Sequence, residues 1–127
     1  MTYIRETSKT VDDCVADLEA AAARHGFGVL HTYDFQEILR SKGFDLENEC
    51  RVLEVCNPSQ ASQILHSDMK VNLALPCRIS VYQDGDGTKI GMIEPTALVG
   101  LVSQTSDVWA AAEEVDETVA AIIDESV

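Results

Sequence analysis

The chain has 127 residues, enough for one domain with a hydrophobic core, and we predict a single domain over residues 1–127. Its 22 acidic residues outnumber 9 basic ones, so the formal net charge is −13. Such a charge repels phosphate backbones and anionic lipids, which argues against nucleic-acid partners and membrane partners. No apolar run is long enough to span a bilayer.

The acidic residues are spread along the whole chain rather than collected in one block. This spread favours a generally acidic, lysine-poor surface of the halophilic type over a surface made for one basic partner. Residues 1–6 contain no apolar signal segment, so we expect a cytoplasmic protein. The four cysteines include no Cys-x-x-Cys pair, which argues against zinc-ribbon and thioredoxin-type sites, and a cytoplasmic address argues against structural disulfides.

The first third of the chain predicts two strands and two helices. Residues 3–7 form a short predicted strand, and capping side chains then precede helical spacing over residues 11–25, which includes Cys14 as a core thiol. Residues 27–33 alternate as a strand and are expected to place Phe27, Val29, His31 and Tyr33 on one face. A short helix over residues 35–41 follows, capped by Asp34.

The rest of the chain predicts three further strands and three helical segments. These are strands 49–55, 77–82 and 88–93, and helical segments 59–66, 96–102 and a last helix that begins near Ser106 or Asp107. Two Asp-Gly pairs at residues 84–87 predict a hairpin turn rather than a calcium loop, because the downstream acidic ligand is missing. The order predicts an α+β fold: one antiparallel sheet with helices packed on one face.

Two short phrases carry the chemistry of this chain, residues 54–58 (Glu-Val-Cys-Asn-Pro) and residues 75–78 (Leu-Pro-Cys-Arg). Each places a cysteine at a strand end next to a proline. Cys56 precedes a predicted helix whose N-terminus favours a negatively charged thiolate, and Asn57 lies at the same junction. Arg78 adds positive charge near Cys77, although neighbours on a strand point to opposite faces. The two thiols suit reversible disulfide formation, soft-metal capture or persulfide transfer, and the alternative is two buried core thiols.

Other polar residues extend this candidate site. Glu54 lies within an apolar strand and needs a partner if buried; Arg78 or Arg51 can supply it, and a general base is the alternative function. His31 is expected in the core or an interface, with a ligand role as the alternative. Metal candidates are Cys50, Cys56, Cys77, His31 and Glu54, of which Cys50, Glu54 and Cys56 share parity on one strand. Trp109 is expected to be a core or dimer anchor.

The chain resembles the family known as domain of unknown function 302. The phrases that carry the resemblance are Phe35–Leu39, Val52–Pro58, Leu73–Arg78 and Val81–Tyr82. The resemblance implies a compact fold with a TATA-binding-protein-like order of strand, helix, strands and helix, and it implies a homodimer. It carries no settled activity, and thiol chemistry would belong to a cysteine-containing subset.

Three functions follow as hypotheses from these features. The first is a dimeric binding module that holds a metal, a sulfur species or a small ligand at Cys56 and Cys77. The second is a thiol-based redox or sulfur-transfer enzyme with the same cysteines as nucleophile and resolving thiol. The third is an interaction protein without a chemical site. The sequence shows no second catalytic group, and we therefore place the enzyme after the binding module.

Overall fold

The computed structural model describes residues 1–127. The strands are β1 (Thr2–Thr7), β2 (Gly28–Asp34), β3 (Cys50–Cys56), β4 (Cys77–Asp84) and β5 (Gly87–Ile93). The helices are α1 (Val11–Arg24), α2 (Phe35–Ser41), α3 (Pro58–Ser67), α4 (Pro95–Val99) and α5 (Ser106–Ser126), with a 3-10 helix at Met69–Ala74. The predicted α+β fold and its order of strand, helix, strands and helix are confirmed.

The five strands form one antiparallel sheet in the order β1-β5-β4-β3-β2. Strand β1 lies at one edge, α1 connects it to β2 at the opposite edge, and the following strands return across the sheet until β5 pairs with β1. Gly85 has φ +64° and begins the two-residue turn between β4 and β5, as the Asp-Gly pattern predicts. This topology places the end of β3 beside the start of β4.

Helices α1 and α5 cover one face of the sheet and enclose the main core. Their apolar stripes meet the core-facing side chains of the strands, and residues such as Leu18, Leu53, Ile79 and Ile122 are completely buried. Cys14 belongs to this core, as expected, and its Sγ lies 3.6 Å from the carbonyl oxygen of Ser126. A second, smaller core joins α3, the 3-10 helix, α4 and the first half of α5.

The opposite face of the sheet, called here the open face, packs against neither long helix. It carries alternate side chains of every strand, including Glu54 and Arg78. The expected shared face of Val29 and His31 is not observed. A β-bulge between Val29 and His31 pairs Val29 with Val55 but His31 with Glu54, so the two side chains lie on opposite faces. Trp109 is 47% exposed, so the core position expected for it as one alternative is wrong, and the dimer anchor stays a prediction.

Side-chain caps explain where three helices begin. The side chains of Thr10, Asp34 and Asn57 accept hydrogen bonds from backbone N–H groups in the first turns of α1, α2 and α3. Each cap satisfies a backbone donor that the helix itself leaves free. At Asn57 the cap and the adjacent Pro58 turn the chain sharply from β3 into α3, and this turn positions the candidate site. No helix is long and apolar enough to cross a membrane.

Candidate functional site

The two cysteines of the candidate site lie at the adjoining ends of β3 and β4. Val55 pairs with Cys77, so Cys56 is one residue further along the neighbouring strand. From the spacing of residues and strands, the two Cα atoms are roughly 6 Å apart. This separation is within the range of disulfides, and all four cysteines are free.

A small cavity, called here the thiol pocket, lies where β3, β4 and α3 meet. Its volume is about 190 Å³, and nine of its twelve lining residues are hydrophobic. The apolar wall includes Phe27, Val55, Ile64, Leu75 and Val115. The functional groups in the lining are the thiols of Cys56 and Cys77 and the side-chain amides of Asn57 and Gln60. The structure therefore brings three of the predicted site residues, Cys56, Asn57 and Cys77, to one apolar cavity.

The thiol of Cys77 is neutral at physiological pH. Burial raises its pKa to about 11, and the nearby Cys56 and Asp116 act in the same direction. Arg78 does not offset this effect as the sequence analysis suggested, because it pairs in register with Glu54 on the open face while Cys77 faces the core. The geometry thus makes Cys77 a small apolar contact rather than an activated nucleophile.

Gln60 is the residue of this pocket that the sequence analysis missed. Its backbone N–H donates to Asn57 Oδ1 at 3.1 Å, whereas its side-chain Oε1 is buried and has no hydrogen-bond partner. A buried acceptor without a donor costs free energy unless something else supplies the hydrogen bond. The signal was present as Asn-x-x-Gln at residues 57–60, a capping-box pattern that places a glutamine at the third helical position.

The other predicted site residues, His31, Glu54 and Arg78, form a separate row across β2, β3 and β4 on the open face. The register pairs His31 with Glu54 and Glu54 with Arg78. Tyr33 joins this row, because its ring meets that of His31 edge to face at 4.4 Å and because hydrogen bonding and charge interaction with Glu54 raise its pKa. The structure therefore divides the predicted site into two sites.

Neither predicted ion pair of Glu54 is present. Arg51 instead contacts Asp12 at 2.8 Å and Asp34 at 3.3 Å, because it faces the helical side of the sheet. Arg78 has no carboxylate oxygen within 4.0 Å, although Glu54 is its neighbour in register. No group of three or more His, Cys, Asp or Glu side chains is close enough to hold a metal ion. A soft metal bound here would have to be held by the two thiols alone.

The family described as domain of unknown function DUF302 matches residues 3–126. The chain belongs to the DUF302 family. A crystal structure of an uncharacterized conserved DUF302 protein from Bacillus stearothermophilus is similar to this chain, with 34% sequence identity and a TM-score of 0.94. The match covers 99% of this chain and 98% of that one.

A comparison with curated proteins gives no match. The family match and the similar crystal structure confirm the resemblance noted in the sequence at the level of family and fold. The DUF302 relationship identifies the family and the fold and brings no reaction with it.

Proposed function

We propose that this DUF302 protein is a binding module that holds a small, uncharged, mainly apolar ligand in the thiol pocket. The observation that carries the proposal is a cavity of about 190 Å³ with almost entirely apolar walls beside both Cys56 and Cys77. An engineered apolar cavity of about 150 Å³ in another protein stays dry and binds benzene. The thiol pocket is thus large enough for a ring-sized molecule.

Two polar features of the pocket indicate the chemical class of this ligand. The unpartnered Oε1 of Gln60 favours a molecule that carries one hydrogen-bond donor. The thiol of Cys77, neutral because burial raises its pKa to about 11, favours an uncharged molecule over an anion or a cation. An alcohol or phenol with a hydrocarbon body meets both requirements. A sulfur species or soft metal remains the alternative ligand, held by the two thiols.

The test uses benzyl alcohol as the probe and toluene as its partner without a donor. We expect saturable benzyl alcohol binding by calorimetry, weaker toluene binding, and weaker benzyl alcohol binding in Cys77→Ser. Ala61→Leu, which adds a side chain at the pocket wall, should abolish binding, whereas Gln63→Leu on the exposed side of α3 should retain it. No saturable binding, or equal losses in both α3 variants, would overturn the proposal.

A thiol-based redox or sulfur-transfer enzyme is the second proposed function, supported by the proximity of Cys56 and Cys77. It requires a thiolate as the nucleophile, and the burial of Cys77 works against this role at neutral pH. Cys77→Ser and Cys56→Ser distinguish the two functions. If the wild-type protein exchanges thiols with a small disulfide and either variant loses this reaction, the enzyme is favoured. If the variants keep the wild-type exchange rate but bind the ligand more weakly, the binding module is favoured.

We further propose a homodimer in the cytoplasm. The dimer follows from the family resemblance, and the exposed Leu101 and Trp109, 80% and 47% accessible, are compatible with a contact surface. The four free thiols suit a reducing compartment. Sedimentation equilibrium at micromolar protein and high salt should give twice the chain mass. A monomer under these conditions would remove the dimer, and an inert dimer without ligand binding would favour the interaction protein.

A further inference from the structure

A second cavity with mainly apolar walls, called here the sheet-end cavity, lies where β1 and β4 begin and β5 ends. Its volume is about 370 Å³, and eight of its thirteen lining residues are hydrophobic. The apolar lining includes Ile4, Met92, Ile93 and Leu98. The polar lining includes Arg78, Ser80 and Tyr82, which alternate along β4 and share the open face. The volume is within the usual range of small-molecule pockets.

Arg78 is the one arginine of five that has no carboxylate partner. The other four lie 2.6 to 3.3 Å from an aspartate or glutamate oxygen. Acidic residues outnumber basic ones by 22 to 9, so an arginine without a carboxylate is conspicuous here. Its side chain is exposed and lines the sheet-end cavity, so its guanidinium is available to an anion that enters from solvent.

Three carboxylates that are opposite Arg78 or close to residues of the sheet-end cavity have other contacts. Glu94, next to Ile93, contacts the amino group of Met1 at 3.1 Å. Asp116 accepts hydrogen bonds from the backbone N–H and the hydroxyl of Thr96 at 3.0 and 2.6 Å. Glu54, across from Arg78, interacts with Tyr33. Glu54 is the carboxylate nearest to Arg78 in register, but no carboxylate oxygen lies within 4.0 Å of its guanidinium, which therefore keeps free hydrogen-bond donors beside an apolar cavity.

We infer that the sheet-end cavity binds a small monocarboxylate with a hydrocarbon body. Arg78 forms the ion pair with the carboxylate, the hydroxyls of Ser80 and Tyr82 are on the same face to donate further hydrogen bonds, and the apolar wall takes the hydrocarbon part. A second anionic group is disfavoured, because Arg78 is the only basic side chain that lines the cavity and the protein as a whole is negative.

This site is independent of the thiol pocket. Arg78, Ser80 and Tyr82 do not line the thiol pocket, and Gln60 and Ala61 do not line the sheet-end cavity. Only Cys77 contributes to both. Loss of benzyl alcohol binding in Ala61→Leu and loss of carboxylate binding in an Arg78 variant are therefore separate results, and either proposal can fail without the other.

The test measures octanoate binding by calorimetry, with octan-1-ol as the uncharged probe of the same length. We expect Arg78→Gln to weaken octanoate binding by about tenfold or more and to leave octan-1-ol binding unchanged, because only the charge-assisted hydrogen bonds are lost. Arg40→Gln is the matched control, since it removes the same charge from an exposed arginine on α2 that is outside the cavity. It should keep wild-type affinity at moderate salt.

A second variant covers the case in which removal of the guanidinium disturbs the sheet. Ser80→Leu places an apolar side chain in the cavity without removing any hydrogen bond that Ser80 makes to the protein. It should reduce binding of both probes, while amide NMR shifts remain native outside the cavity. The inference is overturned if wild-type protein shows no saturable octanoate binding, if octan-1-ol binds as tightly as octanoate, or if Arg40→Gln weakens octanoate as much as Arg78→Gln.

Discussion

The neutral state of Cys77 leads to a quantitative prediction about its alkylation. Its pKa is about 11, compared with 9.0 for a free cysteine. Because only the thiolate reacts, this difference reduces the reactive fraction by about 100-fold anywhere below pH 9. Iodoacetamide should therefore label Cys77 in the native protein at least about 100-fold more slowly than in the chemically unfolded chain, with burial adding a steric component.

The assay quantifies each cysteine peptide by mass spectrometry over a pH series, native and unfolded in parallel. The native Cys77 rate should keep rising tenfold per pH unit past the point where the unfolded rate levels off. Cys14, whose pKa is also raised by burial, provides an internal reference for a structural thiol. A native Cys77 rate close to the unfolded rate at neutral pH would refute the reasoning and favour the thiol-based enzyme over the binding module.

The same pKa predicts how stability depends on pH. A thiol whose pKa is higher in the folded state stabilises the fold fully below its unfolded pKa of 9.0, and this contribution is lost as the pH rises through about 11. The loss is about 3 kcal/mol, from the 1.36 kcal/mol that each pKa unit represents. Cys77→Ser should remove this part of the alkaline destabilisation. Identical alkaline slopes of unfolding free energy in both proteins would contradict the assignment.

Four further predictions concern stability. Ile79→Ala should lower the unfolding free energy by about 2–5 kcal/mol in urea titrations, because Ile79 is completely buried in the main core; a change below 1 kcal/mol would contradict this position. Asn57→Ala should lower the unfolding free energy by about 1 kcal/mol, because the cap of α3 is lost. Asn57→Asp should keep most of the wild-type stability, because aspartate also caps helices. Glu125→Gln should flatten the acid limb of stability: hydrogen bonds from His25 and Arg24 lower the Glu125 pKa, so its contribution is present above the unfolded pKa and lost as the pH falls through the folded one. The melting temperature should rise from low to molar salt as self-repulsion of the net charge of −13 is screened, and a flat response would count against the halophilic-type surface.

The elements of this fold could be read from the sequence because local signals and burial agree along most of the chain. Helical spacing predicts α1 and α5, which bury the stripes that contain Leu18 and Ile122. Capping residues predict where α1, α2 and α3 begin, and the Asp-Gly pairs predict the β4–β5 turn. These features depend on residues close together in the chain, so one sequence contains the information that specifies them.

The division of the site could not be predicted, because it depends on register. A single bulge in β2 moves His31 to the open face, and no residue type in that segment marks the position of a bulge. Likewise, Glu54 and Cys56 were grouped by sequence, but Cys56 lines the thiol pocket while Glu54 belongs to the row on the open face. The pairing of β3 with β4 decides which side chains share a cavity, and such pairings between strands are absent from local patterns.

Cys77 links the two proposed sites, since it is the only residue that lines both cavities. A buried neutral thiol can be replaced by another small apolar group with little loss, so the binding functions do not depend on sulfur chemistry. Cys77→Ala should therefore preserve octanoate binding, whose affinity comes from Arg78 and the apolar wall. The same substitution abolishes any reaction that uses the thiol. The binding and enzymatic functions of this DUF302 protein thus differ in what they require of a single sulfur atom.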